Sequence, residues 1–159
     1  MRRVHGAERA FLEQLFGGSL AIDRLWIGTS LGSRSWSPVG NRISLTCDLF
    51  EQGDARASVC LEQPRAAAIF AHEALHVWQR QHGRRVTWQG AWLQSGYSLG
   101  LFDPYAYDER LAHPADLLAQ FVLGNIEQQG RILEHFVLAE RTGRDVSRFA
   151  RVLDWVRNA

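Results

Sequence analysis

Residues 65–82 constrain this chain more than any other stretch. Ala66, Ala67, Ala68, Ile69, Phe70, Ala71, Ala74, Leu75, Val77 and Trp78 make a helix there apolar almost all round, and such a helix belongs in a core. The same stretch carries His72, Glu73 and His76. Two imidazoles and a carboxyl buried in hydrocarbon must be paired, neutralised or bound to metal. The residues 72–76 read HEALH, an HExxH pattern. Four residues are about 400° of helical rotation, so both histidines leave one face, one turn apart, and can chelate a single Zn²⁺. Glu73 stands beside them, placed to take the proton of an attacking water. The competing reading is a core helix with two hydrogen-bonded histidines.

A zinc hydrolase needs a third protein ligand and leaves the fourth position open. His82 lies six residues beyond His76, but the residue where a glycine would turn the chain back toward the metal is Gln79. Without that turn, six residues are about 600°, which carries His82 off the metal face. A later helix offers Glu127 and Glu134 on one face. Spacing puts Glu127 slightly ahead, because Gly124 and Gly130 flank it at i−3 and i+3 and bare the backbone to an approaching helix. Asp116 and Glu109 are weaker alternatives.

The rest of the chain fits one domain spanning 1–159. Its 159 residues, 46% hydrophobic and 22% charged, suffice for one core and exclude disordered and collagen-like chains. Eighteen basic residues, every one an arginine, stand against seventeen acidic ones, so charge gives no reason to expect nucleic acid or an anionic membrane as partner. With no lysine, neither a Schiff-base nor a general-base lysine is available. Cys47 and Cys60 lack zinc-ligand spacing and read as two buried free thiols, a disulfide being the alternative. No signal peptide is legible and no run approaches the roughly 18 apolar residues of a membrane helix, so the expectation is a cytoplasmic chain, exportable by a machine that needs no cleaved signal.

Periodicity predicts a helix over 7–16, strands over 20–28, 42–49 and 57–61, and a loop over 29–40. Beyond the motif helix, 83–113 reads as a long loop with one short helix near 88–94. A helix over 114–142 is interrupted at Gly124, with Asn125 and Gln128 as a capping box, and a last helix covers 145–157. The fold expected is α+β: a small, mostly antiparallel sheet packed on a helical bundle, with the HExxH helix in the core.

HEALHVWQ at 72–79, Tyr105-Ala106-Tyr107, and IEQQ at 126–129 together resemble a group of small bacterial Vgr-related proteins. Those are similar in turn to a metallopeptidase-like core domain of contractile-injection-system loci. The resemblance covers about residues 8–142, and the polar stretch 108–116 departs from it. It implies a zincin-type (gluzincin-like) fold, zinc held by His72, His76 and the IEQQ glutamate Glu127, and a link to type VI or Rhs/Vgr secretion components.

Under this reading Glu73 is the general base, and a tyrosine outside the motif helix stabilises the developing oxyanion. Tyr107 is the first choice and Tyr105 the second, with Tyr97 also in the loop; all three can equally cap the core. His135 falls near the Glu127 face, as an outer-shell group or a structural histidine. Asn125, Gln128 and Gln129 are candidates to hydrogen-bond the imidazoles. Trp78 reads as core, and Trp88 and Trp92 as cleft walls. The function expected is a zinc-dependent metallopeptidase or peptidase-like effector acting on a peptide or protein. The alternative is a non-catalytic adaptor stabilised by zinc.

Overall fold

The computed structural model describes the backbone of residues 1–159 and every side chain except those at 87, 88, 91 and 94. The architecture is α+β. Three short strands, β1 (Arg2–Arg3), β2 (Trp26–Thr29) and β3 (Arg42–Leu45), form one sheet in the order β1-β2-β3. Six helices complete it: α1 (Gly6–Phe16), α2 (Pro64–Gln81), α3 (Val86–Ser98), α4 (Pro114–Leu123), α5 (Ile126–Arg141) and α6 (Ala150–Arg157).

The sheet departs from the sequence expectation. β1 pairs with β2 antiparallel over two positions, but the longer pair, β2 with β3, is parallel, from Trp26↔Arg42 to Thr29↔Leu45. Parallel neighbours need a crossover of a dozen residues or so, not a hairpin. The Ser/Gly/Pro-rich stretch 30–41 supplies it and pairs back on β3 through an antiparallel bridge between Trp36 and Ser44. The strand expected over 57–61 shrinks to a single bridge, Phe50 to Val59, because 3₁₀ turns at Cys47–Leu49 and Glu51–Gly53 break the alternation before it. Cys47 and Cys60 are free, but Cys47 is exposed and Cys60 only half-buried.

α2 runs through the centre, with Pro64 in its first turn, where the missing N–H costs nothing. It packs most extensively against α5. Asn125 caps α5, accepting from the N–H groups of Glu127 and Gln128, and Gln128 closes the capping box as its spacing predicts. Gly130 lets the two helices touch: a Cβ there would stand 2.6 Å from His72 Nε2. Gly124 has a different use. It is extended backbone, and a Cβ would meet the Gln120 carbonyl at 2.9 Å, inside the α4–α5 corner.

α3 is longer than expected. Gly90 and Gly96 lie inside it, each at a packing contact. Gly90 faces Ile126 and Glu127, and Gly96 lies against the Phe102 ring. Val86, Leu93 and Ile126 form a small apolar cluster of their own, apart from the main core.

Candidate metal centre

α2 presents His72 and His76, and α5 presents Glu127, into one buried space. His72 Nε2 lies 3.1 Å from His76 Nε2 and 3.3 Å from Glu127 Oε2, and His76 Nε2 lies 3.5 Å from the same oxygen. Two donors each about 2.0–2.1 Å from one ion at a tetrahedral angle stand about 3.3 Å apart, so all three edges suit a common ion. The three residues are the group among the described side chains able to hold a metal. Glu134, left open by spacing, meets the other edge of His72: its Oε2 accepts from Nδ1 at 3.2 Å, and Arg131 donates to its Oε1 at 2.8 Å. Both carboxylates therefore serve His72, Glu127 from the ligand side and Glu134 from behind.

The electrostatics follow from this crowding. Burial pulls the His72 imidazolium down, but hydrogen bonds to Glu127 and Glu134 and the nearby Glu73 charge outweigh it and hold the group up at about 10. Burial pushes Glu127 up, yet its bonds to His72 and His76 hold it well below the ordinary carboxylate range. Glu73 is different. Burial raises its carboxyl above the ordinary range, only partly offset by His76 and His72. Its Oε2 is buried and has no hydrogen-bond partner among the described residues.

A cavity of about 440 Å³ opens onto His72, Glu73, His76 and Glu127. Trp36 and Pro38 of the crossover wall one side, Val86 and Gly90 of α3 the other. The crossover is held by the turn of α2 that follows the motif: Arg80 donates to the carbonyls of Gly40 and Ser37 and to the Ser37 hydroxyl, and Gln81 donates to Asn41. Sequence reasoning missed this wall, although a tryptophan and a proline inside a serine-rich loop were a usable signal. A second hollow of about 330 Å³ lies across His72 and Glu73, beside Thr46, Ile69 and Glu134. A third hollow, about 780 Å³, touches none of His72, His76 and Glu127.

Tyr105 lines all three hollows, and its ring centroid is 6.4 Å from that of His72. Tyr107 is turned away, its hydroxyl 2.6 Å from His135 Nδ1, and burial pushes its phenol up to about 12. Tyr97 packs edge-on against Tyr105. His82 donates from Nδ1 to the Trp78 carbonyl and stacks on the Trp78 ring, off the metal face as its rotation predicts. Trp78 is buried and donates to Ser19. Trp92 is exposed and rests on Phe102; the Trp88 side chain lies outside the described residues. Glu109 and Asp116 are exposed on the surface.

The imidazole of His76 is met by Gln79, at 2.9 Å from Nδ1, a residue considered in sequence only as a glycine that was missing. Asn125 and Gln128 reach the backbone of the Tyr segment instead, at Pro104 and Ala106. Gln129 contacts Gln79.

No family model matches this chain. A 96-residue stretch, 58% of it, is 42% identical to the type VI secretion system spike protein VgrG2b of Pseudomonas aeruginosa, and spans 9% of that protein's length. A solved structure of the effector domain of Pseudomonas aeruginosa VgrG2b superposes with a TM-score of 0.66 at 27% identity, over 94% of this chain and 80% of that one. The likeness is denser in one stretch than across the whole chain. Among the described residues no helix is long and apolar enough to cross a membrane. Homology to VgrG2b and to its effector domain links this chain to the Vgr-related proteins of type VI secretion.

Proposed function

We propose that this chain is a zinc-dependent hydrolase of zincin type, a small metallopeptidase-like effector that works with Vgr-type secretion components on a peptide or protein substrate. The observation that carries the reading is the unpartnered, buried Glu73 Oε2 beside a His₂Glu donor set that faces a cavity. A structural zinc site is closed by four protein ligands and has no use for an extra carboxylate.

A zinc ion held by His72, His76 and Glu127 would supply Lewis-acid polarisation of a carbonyl and of a water. Glu73, lining the same cavity, would take a proton from the attacking water and return it to the leaving amine. Tyr105, beside His72, is better placed than Tyr107 to reach a substrate oxygen in the cavity. Trp36 and Val86 line the cavity and would pack against a bound substrate.

The test is metal content followed by turnover. Purified protein should carry about one zinc per chain, and His72→Ala or His76→Ala should remove it. Full zinc retention in the double variant sinks the metal assignment. Zinc binding with normal turnover in Glu73→Gln sinks the catalytic one and favours the zinc-stabilised adaptor.

A further inference from the structure

Gln79 does not touch the space between the metal-ligand atoms, yet it is fully buried, as is Gln129. Every amide atom of the pair facing a neighbour has a defined role. Gln129 Nε2 donates to the Phe121 carbonyl at 2.7 Å, which leaves Gln129 Oε1 to accept from Gln79 Nε2 at 2.8 Å. Gln79 Nε2 also donates to the Ile126 carbonyl at 3.1 Å. Carbonyl oxygens only accept, so neither amide can flip without setting oxygen against oxygen in a buried site. Gln79 must therefore turn Oε1 toward His76 Nδ1, 2.9 Å away. An oxygen there demands a proton on Nδ1. The neutral ring then has its lone pair on Nε2, the atom facing His72 and Glu127.

We propose that Gln79 and Gln129 are positioning residues: an amide relay, anchored on the Phe121 and Ile126 carbonyls, that locks His76 in the Nδ1–H tautomer and so presents Nε2 to the metal. The relay couples the motif helix to the α4–α5 corner, since Phe121 lies in the last turn of α4 and Ile126 opens α5. His72 has a carboxylate, Glu134, in the corresponding place. A neutral amide behind one imidazole and a carboxylate behind the other fix both ring orientations while adding only one negative charge.

The inference rests on the metal reading of the site but not on hydrolysis. Long-range ¹H–¹⁵N correlation of the histidine rings in chelator-treated wild-type protein should show His76 with its proton on Nδ1. An Nε2–H ring overturns the proposal without any variant, and this measurement needs no zinc binding. Zinc titration then separates positioning from packing. Gln79→Leu, which removes the acceptor, should lower zinc affinity by about 10–100-fold. Gln79→Glu keeps an acceptor for Nδ1–H but strands Gln129 and Ile126; it should melt lower than wild type, yet hold zinc several-fold more tightly than Gln79→Leu. Gln129→Leu, which touches neither histidine, should shift affinity in the same direction as Gln79→Leu. Zinc affinity that simply tracks melting temperature across the three variants overturns the relay. If wild type binds no zinc, the metal reading fails while the tautomer result stands on its own.

Discussion

Two of the buried glutamates, Glu8 and Glu73, are treated in opposite ways. Glu8, in the first turn of α1, is fully buried and fully answered. Arg2 grips both its oxygens, at 2.5 and 2.7 Å, and the Val59 N–H donates to Oε1 at 2.8 Å. The same arginine donates to the Ala55 and Ala57 carbonyls, so one ion pair ties β1, α1 and the 55–59 segment together. Glu73, on α2, is buried to a similar degree with Oε2 unanswered. A carboxylate whose lone pairs are all taken is part of the frame. One left open beside a metal-donor set, facing a cavity, is free to take a proton.

The contrast breaks most sharply at Glu73. Glu73→Gln should cut turnover by about 10²–10⁴-fold while zinc content is unchanged. Its stability effect has the opposite sign to an ordinary lost contact. Glu73 has a carboxyl raised by burial, so the ionised form destabilises the fold as pH rises through that value, and Gln removes the burden. The melting temperature at neutral pH should hold or rise; a clear fall would mean that Glu73 has a structural partner after all.

Glu8→Ala should do the reverse. Leaving the half-buried Arg2 guanidinium unpaired and the Val59 N–H without its acceptor should cost about 3–5 kcal/mol, read by denaturant unfolding. Zinc stoichiometry in the folded fraction should stay at the wild-type value. Loss of zinc at native stability would show that the two regions are not independent.

Gly130→Ala probes the contact between α2 and α5. The new methyl would fall 2.6 Å from His72 Nε2, so the helices or the ring must shift. Overpacking of this kind costs about 1–3 kcal/mol. If the displaced group holds metal as proposed, affinity should fall along with stability, whereas Gly143→Ala, with open space around it, should leave affinity alone.

The smallest effect is one of pH. His72 is held up at about 10, so at neutral pH an incoming ion must displace its proton, while Glu127 is already ionised. Zinc affinity should therefore rise with pH, by at most about tenfold per unit, flattening toward pH 10, with about one proton released per ion at pH 7. Calorimetry in buffers of different ionisation enthalpy would measure that proton. An affinity independent of pH between 6 and 8 would contradict the charge state inferred for His72.

Much of this was written into local sequence. The motif helix, its entry at Pro64, the break at Gly124 and the Asn125–Gln128 cap follow from spacing and residue type within a turn or two, which is the range over which helical geometry is set. So does the shared face of His72 and His76, and the exclusion of His82 from it. The parallel pairing of β2 with β3 was hidden because it depends on where a twelve-residue crossover returns, and strand alternation reads the same in either direction.

What only the tertiary structure decided is which groups stand behind the ligands. Spacing left Glu127 and Glu134 nearly equal, since both leave one face of α5; the side of the His72 ring that each meets is set by how α5 lies across α2, and that crossing is allowed by Gly130. The choice between Tyr105 and Tyr107 depends on a loop folded by contacts with α5 at Asn125, Gln128 and His135. Gln79 looked like a defect in a motif and became a hydrogen-bond partner once Gln129 arrived from another helix. A sequence specifies a helix face because the period is local; it does not specify what packs against that face, because the partner lies about fifty residues away and is placed by the whole core.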